Sequence, residues 1–156
     1  MIPHKFYLIP NNVDKKILKG FFPSEDERDG YNSKQYVIES FIIDDDFIDY
    51  IHEHLGENEL DDVPCINPSK SSLPKMDGYS RCGDSLFDEE SAEKLIKTFL
   101  SWKELIKDKT DEFTYAENGF DDEPFNKKEI MDNLEKAIDC SKKLLSKKYY
   151  IYHIGI

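Results

Sequence analysis

The hydrophobic pattern along the chain predicts alternating strands and helices. Segments 5–9 and 35–43 are rich in β-branched and aromatic residues and predict two strands. The last ten residues, "KKYYIYHIGI", alternate aromatic and β-branched side chains and predict a final strand paired inside a sheet. Apolar residues at helical spacing predict a short helix at 12–20 and a longer helix at 44–55, which Gly56 ends.

Two long amphipathic helices are predicted in the second half of the chain, the first capped by Asp88 and the second opening at Asn126. The segment at 56–87 carries several prolines and glycines without periodicity. Because a structureless loop of that length is unusual in a compact domain, we expect one short strand near "GYSRC", residues 78–82. This order of elements predicts a single α+β domain over residues 1–156, with a small mixed or antiparallel sheet covered by several helices.

The negative charge of the chain is concentrated in one short part of it. Residues 21–62 hold fourteen acidic and two basic side chains, whereas the other 114 residues hold nineteen of each, so this block accounts for the whole net charge of −12. Like charges three or four residues apart destabilise a helix slightly, and a lysine at the same spacing would stabilise it. Such a surface attracts a basic protein and repels the phosphates of nucleic acid.

The carboxylates of the predicted helix at 44–55 face away from its apolar stripe, and a tyrosine borders them. A merely solvated face explains the acids of the first helical turn, where they interact with the helix dipole. It explains the later ones poorly, because the two C-terminal helices interleave their acids with lysines. Tyrosine is a preferred interface anchor, and carboxylates steer a basic partner. We therefore predict a partner-binding surface formed by Asp45, Asp46, Asp49, Tyr50, Glu53, Glu57, Glu59, Asp61 and Asp62.

The chain carries no catalytic, metal-binding or phosphate-binding motif, so the sequence predicts a protein that is not an enzyme and has no cofactor. His52 and His54 would point about 160° apart on a helix and could not share one metal ion. The best nucleophile is Cys82, because Arg81 beside it would lower its pKa and Gly83 would permit a tight turn. Three cysteines without close spacing indicate reduced thiols, and no apolar run is long enough to span a membrane, which predicts a cytoplasmic protein.

The chain resembles bacterial toxin-immunity proteins, notably those of contact-dependent inhibition and other polymorphic toxin systems. The resemblance lies in the size, in the acidic block "DDDFIDYIHEHLGENELDD" and in the ending "FNKKEIMDNLEKAIDCSKKLLSKKYYIYHIGI", a long helix followed directly by a strand. It implies a non-catalytic inhibitor that sequesters a cognate toxin domain, often a basic nuclease, by covering its active site or an adjacent surface.

Three other interpretations stay open at the level of sequence. A DNA mimic would use its carboxylates to occupy a nucleic-acid-binding protein, although it should spread acid over much of one surface. A small enzyme would use the segment at 56–87 with Arg81 and Cys82. An intracellular adaptor or a homo-oligomer would have no toxin partner, and the oligomeric state itself is not predicted by the sequence.

Overall fold

The computed structural model describes residues 2–24, 33–56, 59–114 and 124–155, which form an α+β fold around an antiparallel sheet of six strands. The order across this sheet is β2-β1-β8-β5-β3-β4, and β6 and β7 pair with each other separately. The predicted fold class is therefore confirmed. In chain order the strands are β1 (Pro3–Pro10), β2 (Glu39–Asp44), β3 (Cys65–Ile66), β4 (Lys75–Met76), β5 (Asp84–Phe87), β6 (Glu112–Phe113), β7 (Phe125–Asn126) and β8 (Tyr149–Ile154).

Helices cover both faces of the sheet. The larger hydrophobic core lies between one face and the three longer helices, and the smaller core lies between the other face and the short helix. Among the described residues, every helix is too short or too polar to traverse a lipid bilayer. The helices are α1 (Lys15–Lys19), α2 (Asp45–Leu55), α3 (Ala92–Ile106) and α4 (Lys127–Leu144).

The C-terminal strand β8 lies in the middle of the sheet, between β1 and β5, which confirms the predicted pairing. Its neighbouring residues Ile151 and Tyr152 are both buried, one in each hydrophobic core. The Tyr152 hydroxyl lies 2.8 Å from Asp84 Oδ2 and 3.0 Å from the Leu18 carbonyl oxygen, so its proton has an acceptor despite burial. Because both faces of β8 are covered by helices, the strand is apolar on both sides.

Helix α2 begins and ends at residues that stabilise its termini. The Asp44 side chain accepts a hydrogen bond from the Asp46 N–H at 2.9 Å, and Gly56 adopts the left-handed conformation that ends the helix, with φ of 76°. Phe47, Ile48 and Ile51 lie in the core as their spacing predicts. The last member of the predicted stripe, Leu55, is 41% exposed because it lies in the final turn.

The segment at 56–87 is more structured than its composition indicates: it contains three short strands rather than one, and the strand nearest to residues 78–82, where one was expected, begins at Asp84. The strands there are β3, β4 and β5, and the chain turns before β5 begins. The turn is packed tightly, since a Cβ on Gly78 would lie 2.0 Å from the carbonyl oxygen of Asp61. This packing holds the acidic 3-10 turn Glu59–Asp62 against the segment that carries Arg81.

Candidate partner-binding surface

Two of the α2 carboxylates are neutralised by an arginine that lies far away in the sequence. Arg81 Nε donates a hydrogen bond to Asp45 Oδ1 at 2.7 Å, and Nη2 donates to Asp49 Oδ1 at 2.7 Å. The hydrogen bond to Asp45, with the one to Asp49, raises the pKa of the guanidinium, so Arg81 remains a cation. Asp45 and Asp49, two carboxylates of the predicted partner-binding surface, are therefore already paired with a cation of the same chain.

Asp45 also anchors α2 to a pair of histidines buried beneath it. His4 Nε2 lies 2.8 Å from Asp45 Oδ1, and His4 Nδ1 lies 2.9 Å from His153 Nε2. Both histidines are fully buried and lie on the face of the sheet that packs against the three longer helices. Burial alone would raise the pKa of Asp45, but hydrogen bonds from Arg81 and His4 outweigh burial and lower that pKa.

The hydrogen bonds of this cluster restrict where its protons can lie. An ionised Asp45 can only accept, so His4 Nε2 carries a proton and donates it. His153 Nδ1 is buried and has no hydrogen-bond partner within the described ranges; if His153 Nε2 donates to His4 Nδ1, this atom carries a lone pair rather than a stranded N–H. Burial, with a smaller repulsion from His4, lowers the pKa of His153 to about 3. His153 is therefore neutral in the folded protein at pH 7.

Four carboxylates form the exposed part of the region, which we call the acidic surface: Asp46, Glu53, Asp61 and Asp62. Asp46 and Glu53 flank Asp49 on α2 at spacings of three and four residues. Partial burial, with the charge of Asp62, raises the pKa of Asp61, whereas Arg81 and His52 lower it, which places Asp61 within electrostatic range of α2. Within the described part of the chain, none of the four forms an ion pair.

On α3 and α4, three carboxylates are paired with lysines. On α3, Glu104 pairs with Lys107, and on α4, Asp132 lies 2.9 Å from Lys128 Nζ. Glu135 of α4 lies 3.6 Å from Lys103 Nζ across the α3–α4 interface. Among the described residues, three of the six acids of α3 and α4 are therefore paired with lysines, whereas none of the four acids of the acidic surface is paired.

Tyr50 does not border the surface as the sequence predicts. It is 1% exposed, its ring lies against Phe113 and Phe125, and it stacks on His54 with ring centroids 4.0 Å apart. The pair of strands β6 and β7 covers this side of α2, and helical periodicity within α2 could not reveal residues so distant in sequence. Of the remaining predicted positions, Glu57 and the side chain of Glu59 lie outside the described residues.

The cysteines and potential metal ligands show no further site. Cys65 and Cys140 are buried, which raises the pKa of their thiols to about 11 and about 12 respectively. Cys82 is exposed, and the guanidinium of Arg81, expected to act on its thiol, is bonded to α2 instead. Over the described ranges, no group of three or more His, Cys, Asp or Glu side chains is arranged to hold a metal ion.

Comparison with known proteins gives no match to a protein-family model, to a curated sequence or to a solved structure.

Proposed function

We propose that this chain is a non-catalytic immunity protein that acts in the cytoplasm and neutralises a basic, nuclease-type toxin domain by binding it through the acidic surface. The observation that carries the proposal is a contrast within the part of the chain that the structure describes: the four exposed carboxylates of that surface form no ion pair, whereas three of the six acids of α3 and α4 do. A cationic protein surface would relieve the repulsion among these carboxylates when it docks.

The sign and the size of the charge favour a protein partner. Exposed carboxylates steer a basic molecule toward the surface and raise its association rate, mainly at low ionic strength. They add little affinity individually, because an exposed ion pair contributes about 0–1 kcal/mol. The affinity must therefore also come from packing of apolar groups near the charges.

Arg81 supports the proposal by holding part of the surface in place. It joins Asp45 and Asp49 to the turn before β5, while Asp45 joins the start of α2 to the buried His4. Helix α2 is thereby attached at its polar side as well as at its apolar side. A surface that is already rigid loses less conformational entropy on binding.

The proposal predicts that charge reversal on the acidic surface slows association. Asp46→Lys combined with Glu53→Lys should lower the association rate constant about tenfold at low salt, because steering is lost while the core contacts remain. Asp49 is left unchanged because it holds Arg81. The rate is measured by stopped-flow fluorescence against the product of the adjacent reading frame, where an immunity protein's toxin is normally encoded, after that product is shown to degrade nucleic acid.

The matched control is Asp108→Lys combined with Asp139→Lys, which makes the same change in net charge at two exposed carboxylates that form no ion pair with any other described residue. It should alter the rate less than threefold if a local surface, rather than total charge, steers the partner. Equal effects of the two double variants would argue against the acidic surface. The immunity function itself would be contradicted if the protein encoded by the adjacent reading frame is acidic, or if this chain fails to inhibit it.

A further inference from the structure

An apolar groove opens beside the acidic surface, between the edge strand β2, the start of α2 and the junction of β7 with α4. Its volume is about 130 Å³. Ile42, Phe47, Phe125 and Ile130 supply apolar walls. Ile42 is 49% exposed, so part of this apolar surface is in contact with solvent. Exposed apolar surface rimmed by polar groups is typical of an interaction site.

The rim of the groove is acidic. Asp44 and Glu129 line it, and none of the described residues that line it is basic. Burial raises the pKa of Asp44, which shows that its carboxylate is partly removed from water. A cation placed at this rim would therefore interact with two carboxylates, one of them in a partly desolvated position where attraction is stronger than in bulk water.

The two lysines that begin α4 are directed away from the groove. Lys127 Nζ donates to the carbonyl oxygens of Lys107 and Lys109, at 2.6 and 2.9 Å, and Lys128 Nζ donates to Asp132 Oδ2 at 2.9 Å. The first turn of α4 thus leaves the negative rim without a cation from its own side chains. The charge complement must come from outside these residues.

The groove is suited to a side chain rather than to an added strand. β2 is an edge strand, but its Ile42 N–H donates to Asn133 Oδ1 at 3.0 Å and its Ser40 N–H lies 3.3 Å from Glu39 Oε1. Backbone donors that a partner strand would need are therefore already bonded. The volume is close to that of a protein cavity of about 150 Å³ that holds benzene, so one phenyl-sized group fits.

We propose that this groove receives one phenyl-sized apolar side chain of the partner, with a lysine or arginine beside it that contacts Asp44 and Glu129. The inference deepens the proposed function and rests on it for the partner's being a basic protein. It supplies the apolar anchor that the exposed carboxylates lack, and it places that anchor two residues from Asp46 of the acidic surface. A buried aromatic anchor surrounded by polar contacts is the usual composition of a binding hot spot.

Small molecules test the groove without the partner. In two-dimensional NMR with methyl-labelled isoleucine, phenethylammonium should shift the resonances of Ile42 and Ile130 in a saturable way. Phenylpropionate carries the same ring with a carboxylate and should bind at least about fivefold more weakly because the rim repels it. Butylammonium, which has the charge but no ring, should leave both methyl resonances unchanged.

Two variants locate the site. Ile42→Lys places a cation at the groove and should abolish the phenethylammonium shifts, whereas Ile38→Lys is the matched control, since Ile38 is also 49% exposed but does not line the groove. Glu129→Gln should weaken the binding of phenethylammonium about threefold and leave the resonances of core residues unchanged. Equal binding of the two aromatic probes, or shifts that survive Ile42→Lys, would overturn the proposal.

Binding experiments with the toxin domain distinguish a failure of the groove proposal from a failure of the proposed function. Ile42→Lys should weaken binding of the toxin domain at least about tenfold, mainly through faster dissociation, whereas Ile38→Lys should leave binding unchanged. If the acidic-surface variants slow association but Ile42→Lys changes nothing, the groove proposal fails and the proposed function stands. If sedimentation shows a dimer of this chain that Ile42→Lys dissociates, the occupant is a second copy and the proposal is wrong.

Discussion

Lowering the pH from 7 to 4 should reduce the free energy of unfolding by about 3 kcal/mol more in the unmodified chain than in the variant His153→Phe. The buried His153 has a pKa of about 3 in the folded protein, against 6.5 for an ordinary histidine. Between these values the unfolded chain binds a proton that the folded chain excludes. The stability contributed by neutral His153 is therefore complete above pH 6.5 and is lost as the pH falls toward 3.

The comparison with His153→Phe removes the contributions of other groups. Burial raises the pKa of Asp44, Asp84 and Asp88, so these carboxyls favour the folded state as the pH falls. Asp45 acts in the opposite sense at lower pH, because its pKa is lowered. The contributions of these carboxyl groups to the pH dependence of the free energy of unfolding are nearly equal in both proteins. Urea denaturation at each pH unit from 7 to 4 measures the difference, and parallel curves would show that His153 is protonated without difficulty in the folded state.

Replacing Arg81 by methionine should lower the free energy of unfolding by about 2 kcal/mol at pH 7, because a part-buried carboxylate loses a charged hydrogen-bond donor. The side chain of Asp45 is 24% exposed, whereas that of Asp49 is 46% exposed. The bond to Asp49 is closer to a surface pair and should contribute less than about 1 kcal/mol. Methionine retains much of the aliphatic stem of arginine, so packing changes little.

A double-mutant cycle distinguishes the charge pair from general damage. Asp45→Asn keeps an oxygen that can accept the His4 Nε2 proton, and in that background Arg81→Met should be much less harmful, since no buried charge is left alone. Asp49→Asn serves as the control for the hydrogen bond between Arg81 and Asp49, which is the more exposed of the two. A loss below about 0.5 kcal/mol for Arg81→Met would mean that solvent screens the Asp45 pair as it does an ordinary surface pair. Chemical denaturation monitored by the fluorescence of Trp102, which is buried, measures the stability of the four proteins of the cycle and of the control.

The cluster explains why the acidic helix and the histidines belong together. A network of side-chain hydrogen bonds extends from the middle of the sheet to the protein surface and links His153, His4, Asp45 and Arg81. It attaches the first turn of α2 to the core at the point where the acids are most crowded. The carboxylates proposed to meet a partner, Asp46 and Glu53, lie outside this cluster and remain exposed.

Local signals identified most of the elements. The alternation in "KKYYIYHIGI" predicted β8, and the Gly56 stop and the apolar spacing predicted α2 to within one residue at its start. The same alternation could have revealed the histidines, because His4 shares a face of β1 with Phe6 and Leu8, and His153 shares a face of β8 with Ile151. The strand at 35–43 was placed four residues early at its start because the 3-10 turn Ser33–Tyr36 precedes it.

The amino-acid sequence by itself determined the α+β class, the apolar side of α2 and the concentration of negative charge in residues 21–62, because these follow from spacing and composition along the chain. The tertiary structure alone decided that Arg81 neutralises Asp45 and Asp49, and that β6 and β7 bury Tyr50. Both outcomes depend on contacts between segments more than thirty residues apart. Such contacts leave no periodic signal in either segment, since each partner's environment is supplied by the fold.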